Sequence, residues 1–267
     1  MADLPLVVFP LYDRCTLLDF AGATQVFAFA GLKPLWVAPT RGPVLTTEGV
    51  QVMAGATFDE VRDRPVEILF VPGGGEKVAV TMLDPAFVGF VRDTGARARW
   101  AGSVCTGAFI VAAAGLLDDH EATTYWSQKE NLALFPRVTV SAGYPRWVIH
   151  GDRFSGGGVS SSIDLALELV NRRSGPTRSM TAQLSVQYAP EPPFASGDPA
   201  QAPPEVTAAL RRDQEKFTAA LRASVERVIG GAPLSPAGTG RAGGRGPGGR
   251  QTPGRFPPTG ARPRPRR

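Results

Sequence analysis

Cysteine and histidine are nearly missing from this 267-residue chain: each occurs twice, as Cys15, Cys105, His120 and His150. Two cysteines are too few for a disulfide framework or a structural zinc site. A reduced, cytoplasmic setting with no metal is therefore expected. Also missing is any apolar run long enough to span a bilayer, and Met1-Ala-Asp-Leu-Pro5 lacks the basic start of a secretory leader, so no membrane partner is expected. What is present, 43% hydrophobic and 20% charged residues, is the make-up of an ordinary globular protein. Its length suffices for one large core or two modest ones.

Acids and lysine are absent beyond Gly230, where eight arginines stand among glycine and proline. Removing those eight from the net charge of +5 leaves residues 1–229 at −3. The basic character belongs to the tail. Residues 230–267 carry few large apolar groups to offset their ordering entropy, which predicts a disordered segment. A polycation of this kind meets phosphates through charge alone, so no specific nucleic-acid partner is expected.

Ahead of the tail, short apolar runs alternate with helical periodicity. Leu6–Pro10, Leu35–Ala38, Glu67–Pro72 and Arg99–Val104 read as strands, and Val44–Ala56 as two short β pieces. Helices are expected around Phe20–Ala28, over Asp84–Arg97, after Cys105, and in the second part of Ser155–Val170 after a loop. Val138–Phe154 alternates as β structure. Such a pattern predicts a parallel α/β sheet covered on both faces, with ligands received at the C-terminal ends of the strands. The segment 189–204 holds too many prolines for a helix or central strand, and Glu205–Ile229 has the stripe of one amphipathic helix. The expected organisation is an α/β domain over 1–188, a proline-rich arm and helix over 189–229 packing on the domain or on a homodimer partner, and the tail over 230–267.

The richest segment is Ser103-Val-Cys-Thr-Gly-Ala108, a strand running into a cysteine and then directly into a helix. Small neighbours permit a sharp elbow there, and a thiol facing a helix N-terminus is expected to have a lowered pKa. Gly73-Gly-Gly75 follows another strand, and its bare N–H groups, chiefly Gly73 and Gly74, are candidates to hold developing negative charge. Neither histidine is well placed as proton carrier: His120 lies in an acidic turn and His150 in a β stretch. Asp19, amid Leu17, Leu18 and Phe20, is the stronger candidate, against the plainer reading of a helix N-cap.

Together these motifs resemble the ThiJ/PfpI superfamily of class-I glutamine amidotransferase-like folds, and within it the isonitrile hydratases. The resemblance rests on Val7–Pro10, Leu18-Asp19 with Gly22, Val71–Gly75, Ser103–Gly107, Ala122–Trp126, Gly156–Asp164 and Gln183–Phe194. It spans residues 4 to about 225 and implies a flavodoxin-like three-layer sandwich with a cysteine nucleophile elbow. It also implies water addition to an isocyanide giving an N-substituted formamide, without a cofactor. The matching positions make Cys105 the nucleophile, Asp19 the acid, and Thr106 a hydrogen-bonding partner that orients Asp19. Tyr125, Trp126 and Ser160 would line the pocket. Tyr125 stands where many relatives carry histidine, and Ser160-Ser-Ser162 where Thr-Ala-Gly is more usual. Other readings are a domain related to transcriptional regulators but lacking their DNA-binding module, a deglycase-like member, or a redox sensor. Cys15 reads as a packed free thiol.

Overall fold

The computed structural model describes residues 4–231; most of the arginine tail, residues 232–267, lies outside them. A seven-stranded sheet forms the centre, built from β1 (Leu6–Pro10), β2 (Lys33–Ala38), β5 (Ala56–Thr57), β6 (Ile68–Val71), β7 (Trp100–Val104), β10 (Trp147–His150) and β11 (Arg153–Gly156). Two short pairs lie beside it, β3 (Gly42–Leu45) with β4 (Gln51–Ala54) and β8 (His120–Ala122) with β9 (Val138–Val140). The spatial order is β10-β11-β7-β6-β1-β2-β5, and every neighbour pair is parallel except β10 with β11.

The reason for the parallel centre lies in the strands themselves. Leu6–Pro10, Ile68–Val71 and Trp100–Val104 are buried at every position, as strands covered on both faces must be. Phe9, Phe27 and Phe70 meet with ring centroids 5.3–6.2 Å apart and fix β1 and β6 against the first helix.

The helices are α1 (Leu17–Phe29), α2 (Phe58–Val61), α3 (Lys77–Thr81), α4 (Pro85–Gly95), α5 (Gly107–Ala113), α6 (Lys129–Leu132), α7 (Ser161–Ser174), α8 (Pro176–Ser185), α9 (Pro204–Asp213) and α10 (Glu215–Ile229). They pack in two groups, α1 with α7 and α8, and α3, α4 and α5 with α10. This is the flavodoxin-like three-layer α/β arrangement. Helix α4 starts as its sequence dictates, with Asp84 capping the N–H of Ala86 at 2.9 Å and Pro85 in the first turn.

One expectation is corrected. The stretch 205–229 is two helices, not one, parted at Gln214. The side chain of Gln214 accepts from Ser127 Oγ at 2.7 Å and donates to the Tyr125 hydroxyl at 3.3 Å, so a tertiary contact sits at the bend. Leu221 and Val225 are fully buried where α10 meets α3, α5 and α6. The proline-rich segment before α9 forms neither helix nor strand. Among the described residues no helix is long and apolar enough to cross a membrane.

Candidate active site

Asp19 occupies the first turn of α1 and has no exposed surface. It is not the helix cap: Thr16 holds that position, and its side chain makes no cap bond. Asp19 Oδ2 accepts the Gly73 N–H at 2.7 Å, whereas Oδ1 is buried with no hydrogen-bond partner. Burial pushes this carboxyl well above the ordinary carboxylate range; the Gly73 bond opposes the shift and the Glu48 charge adds to it. A neutral carboxylic acid is the form this environment favours.

The Cys105 elbow is sharp. Its backbone takes φ +56°, a left-handed conformation rare outside glycine, immediately after β7 and before α5. Two hydrogen bonds hold it there. Cys105 N–H donates to Gly156 O at 3.0 Å, and Cys105 O accepts from Thr124 Oγ1 at 2.9 Å.

The expected lowering of the Cys105 pKa is not found. Burial pushes the thiol well up, the Asp19 charge adds to that, and the hydrogen bonds from Thr106 only partly oppose it.

The glycine loop and the elbow are locked together, in a way that corrects two expectations. Thr106 Oγ1 donates to Gly74 O at 2.8 Å and accepts from Gly74 N–H at 3.0 Å, so it clamps Gly74 and does not orient Asp19. The N–H groups of Gly73 and Gly74 are therefore engaged by Asp19 and Thr106 rather than left open for a substrate anion. Glycine is needed here for closeness. A Cβ on Gly73 would fall 2.8 Å from Cys105 Cβ, and one on Gly74 would fall 2.6 Å from Arg14 O. Gly73 is the shared wall: it binds Asp19 on one side and touches Cys105 on the other.

Tyr12, which the sequence reading passed over, is also part of this wall. Its buried hydroxyl donates to Pro72 O at 3.1 Å. Cys15 is buried beside Gly74 and Thr46, and burial pushes its thiol up to about 12. Both cysteines are free.

The remaining expected residues lie less close together. Tyr125 follows Thr124, whose hydroxyl holds the Cys105 carbonyl, and it is half-buried under Gln214. Trp126 carries Arg211 4.9 Å over its ring. Ser160 is exposed and accepts from Arg146 at 3.1 Å, while Ser162 Oγ donates to Leu18 O on α1 at 3.0 Å.

The two histidines meet edge to face, 5.3 Å between centroids, at the far end of the sheet. His150 pairs with Arg153, and Arg153 with Ala101 at the start of the strand that Cys105 follows. No histidine reaches the elbow. Among the described residues no group of acidic, histidine or cysteine side chains is arranged to hold a metal ion.

Residues 6–172 match the model of the DJ-1/PfpI family. The chain belongs to the DJ-1/PfpI family. Within it, the chain is similar to an isonitrile hydratase of Pseudomonas putida, 35% identical over 206 residues that cover 76% of this chain and 87% of that enzyme. A solved structure of a ThiJ/PfpI family protein from Pseudomonas syringae is 33% identical, with a TM-score of 0.79 over 84% of this chain and 91% of that one. The chain is also 32% identical to an HTH-type transcriptional regulator, CdhR of Pseudomonas aeruginosa, over 55% of its own length and 42% of the regulator's. The chain thus has relatives of both an enzymatic and a regulatory kind.

Proposed function

We propose that this protein hydrates isonitriles, adding water to an isocyanide to give an N-substituted formamide. The observation that carries the reading is the pairing, across Gly73, of a buried thiol with a buried carboxyl whose Oδ1 has no partner. Similarity to the P. putida isonitrile hydratase over most of both chains supports it.

The chemistry fits a site that carries little net charge. An isocyanide is neutral, and its terminal carbon becomes electrophilic only when a proton is delivered as the nucleophile arrives. Asp19 gives its proton to that carbon while Cys105 Sγ bonds to it, and the thiol proton passes to the Asp19 carboxylate. The product is a thioimidate, R–N=CH–S–Cys105, with Asp19 again neutral. Asp19 then protonates the imine nitrogen and takes a proton from the water that attacks the same carbon. The tetrahedral adduct expels Cys105 sulfur, which recovers its proton, and R–NH–CHO leaves. No redox partner or cofactor enters this balance.

Thr106 and Tyr12 keep the loop 72–74 in register with the elbow, so that Gly73 holds Asp19 at the reacting carbon. The same reading includes a homodimer, supported by large apolar side chains that stand out from α8 and the arm, such as Leu184 at 79% and Phe194 at 77% exposure. Incubating the purified protein with a simple alkyl isocyanide should yield the formamide in many turnovers per site. Binding without turnover would favour the regulatory branch instead.

A further inference from the structure

Helix α1 has an unusual start. Its own cap residue, Thr16, leaves the first-turn N–H groups without a side-chain bond. The bond comes instead from a distant turn: Glu48 Oε2 accepts the Leu17 N–H at 3.1 Å. Three further bonds tie the turn between β3 and β4 to the same segment. Arg14 N–H donates to Leu45 O at 2.6 Å, Thr47 N–H to Cys15 O at 3.1 Å, and Thr47 Oγ1 to Arg14 O at 2.8 Å. The turn is thus seated on the residues leading into α1, and it places a carboxylate on the end of the helix that carries Asp19.

We infer that Glu48 is a positioning residue for the reaction proposed above: its charge caps α1 and keeps Asp19 in the protonated form the first step needs. The physical reason is opposition of fields. The N-terminus of a 13-residue helix carries positive potential, which alone would favour an ionised Asp19 two residues further on. A carboxylate bonded to that terminus cancels the potential and repels a second negative charge.

Other groups facing Asp19 do not replace it. The preceding loop presents Tyr12 and Cys15, and the elbow presents Cys105, all buried and all with raised pKa values, so neutral. Helix α7 presents the neutral Ser162 at this turn, while its Asp164 and Glu168 are engaged by Arg146 and Arg172. Asp13 pairs with Lys77 at 3.7 Å on the surface, and Arg14 lies in the same loop. Glu48 is the acid among these that is bonded to α1.

The inference rests on the isonitrile reading for its meaning, but its test does not use turnover. The probe is the infrared absorption of a protonated carboxylic acid, followed against pH in the full-length protein. Asp19→Asn should remove the band that titrates above the ordinary carboxylate range, which assigns it. Glu48→Gln keeps an acceptor oxygen for Leu17 and removes only the charge. It should move the Asp19 midpoint down by about 0.2–0.7 pH unit, the scale of a charge at a helix terminus, with Tm nearly unchanged. Glu48→Ala should move the midpoint the same way and also lower Tm, because the cap bond is lost as well.

A midpoint in Glu48→Gln equal to or above that of the unaltered protein would overturn the inference. So would persistence of the band in Asp19→Asn. A protein that shows these shifts but turns over no isocyanide would leave the role of Glu48 standing and remove the proposed reaction.

Discussion

The two ends of the central sheet treat their polar residues in opposite ways. At the C-terminal end, Asp19, Thr106 and Cys105 are buried, and none of the three takes part in an ion pair. At the other end, His120 and His150 meet edge to face near the surface. There, Asp118 and Asp119 share Arg137, and Asp152 faces His120 and Arg153. Charges near water cost little and need only loose partners. A carboxyl with a bare, buried oxygen is destabilising and persists because the surrounding fold holds it. The difference fits the proposal that stability at the Asp19 end is given up for chemistry.

The comparison can be broken or sharpened by substitution. The largest effect is expected for Cys105→Ser, which should abolish formamide formation while circular dichroism and Tm stay close to those of the unaltered protein. An alcohol at this elbow has no base nearby able to ionise it.

Asp19→Asn should lower turnover by about 10²–10⁴, the scale of a lost general acid. Its stability should change in a direction set by linkage. Because the folded state holds the Asp19 proton above the ordinary carboxylate range, it binds more protons than the unfolded chain there. The stability of the unaltered protein therefore falls as pH rises from that range through the raised value. Asp19→Asn removes that slope, so its Tm should gain on the unaltered protein between pH 4 and pH 8. A Tm difference constant across this range would show that Asp19 is not held neutral.

A smaller effect is expected for Thr106→Val. It removes both bonds to Gly74, leaving a buried N–H and C=O unpaired at about 1–3 kcal/mol each, read by denaturant unfolding. Turnover should fall because the loop 72–74 loses its register, and Thr106→Ser should restore most of both. The smallest effect belongs to the far end. His120→Ala should change stability by less than about 1 kcal/mol and leave turnover unchanged, as expected for a partly exposed residue at the start of the short strand β8 rather than in the turn its sequence suggested.

Much of this contrast was legible in the sequence, for identifiable reasons. β1 and β6 are short continuous apolar runs closed by Pro10 and Pro72, and β7 is a run of small and apolar residues leading to Cys105, so their place in a covered parallel sheet could be read directly. Cys105 stood out through the small residues around it, and Asp19 through its apolar neighbours.

What could not be read was which group bonds to which. Thr106 meets Gly74 across 32 positions and Glu48 meets Leu17 across 31, contacts decided by how loops come together rather than by local pattern. The same holds for the bend at Gln214, where an apolar stripe continues through a break that its bonds to Ser127 and Tyr125 accompany. The expected low Cys105 pKa failed for a related reason: helix context suggested a thiolate, and the degree of burial, a tertiary property, outweighed it.

The most direct test of the central claim is to mix the protein with an alkyl isocyanide labelled with carbon-13 at its terminal carbon, quench in acid at short times, and map the label by peptide mass spectrometry. The account predicts one isocyanide mass added to the peptide containing Cys105, none on the peptide containing Cys15, and accumulation of that adduct in Asp19→Asn if hydrolysis slows more than attack. Labelled formamide produced with no adduct on Cys105 at any time, and at an undiminished rate in Cys105→Ser, would contradict it.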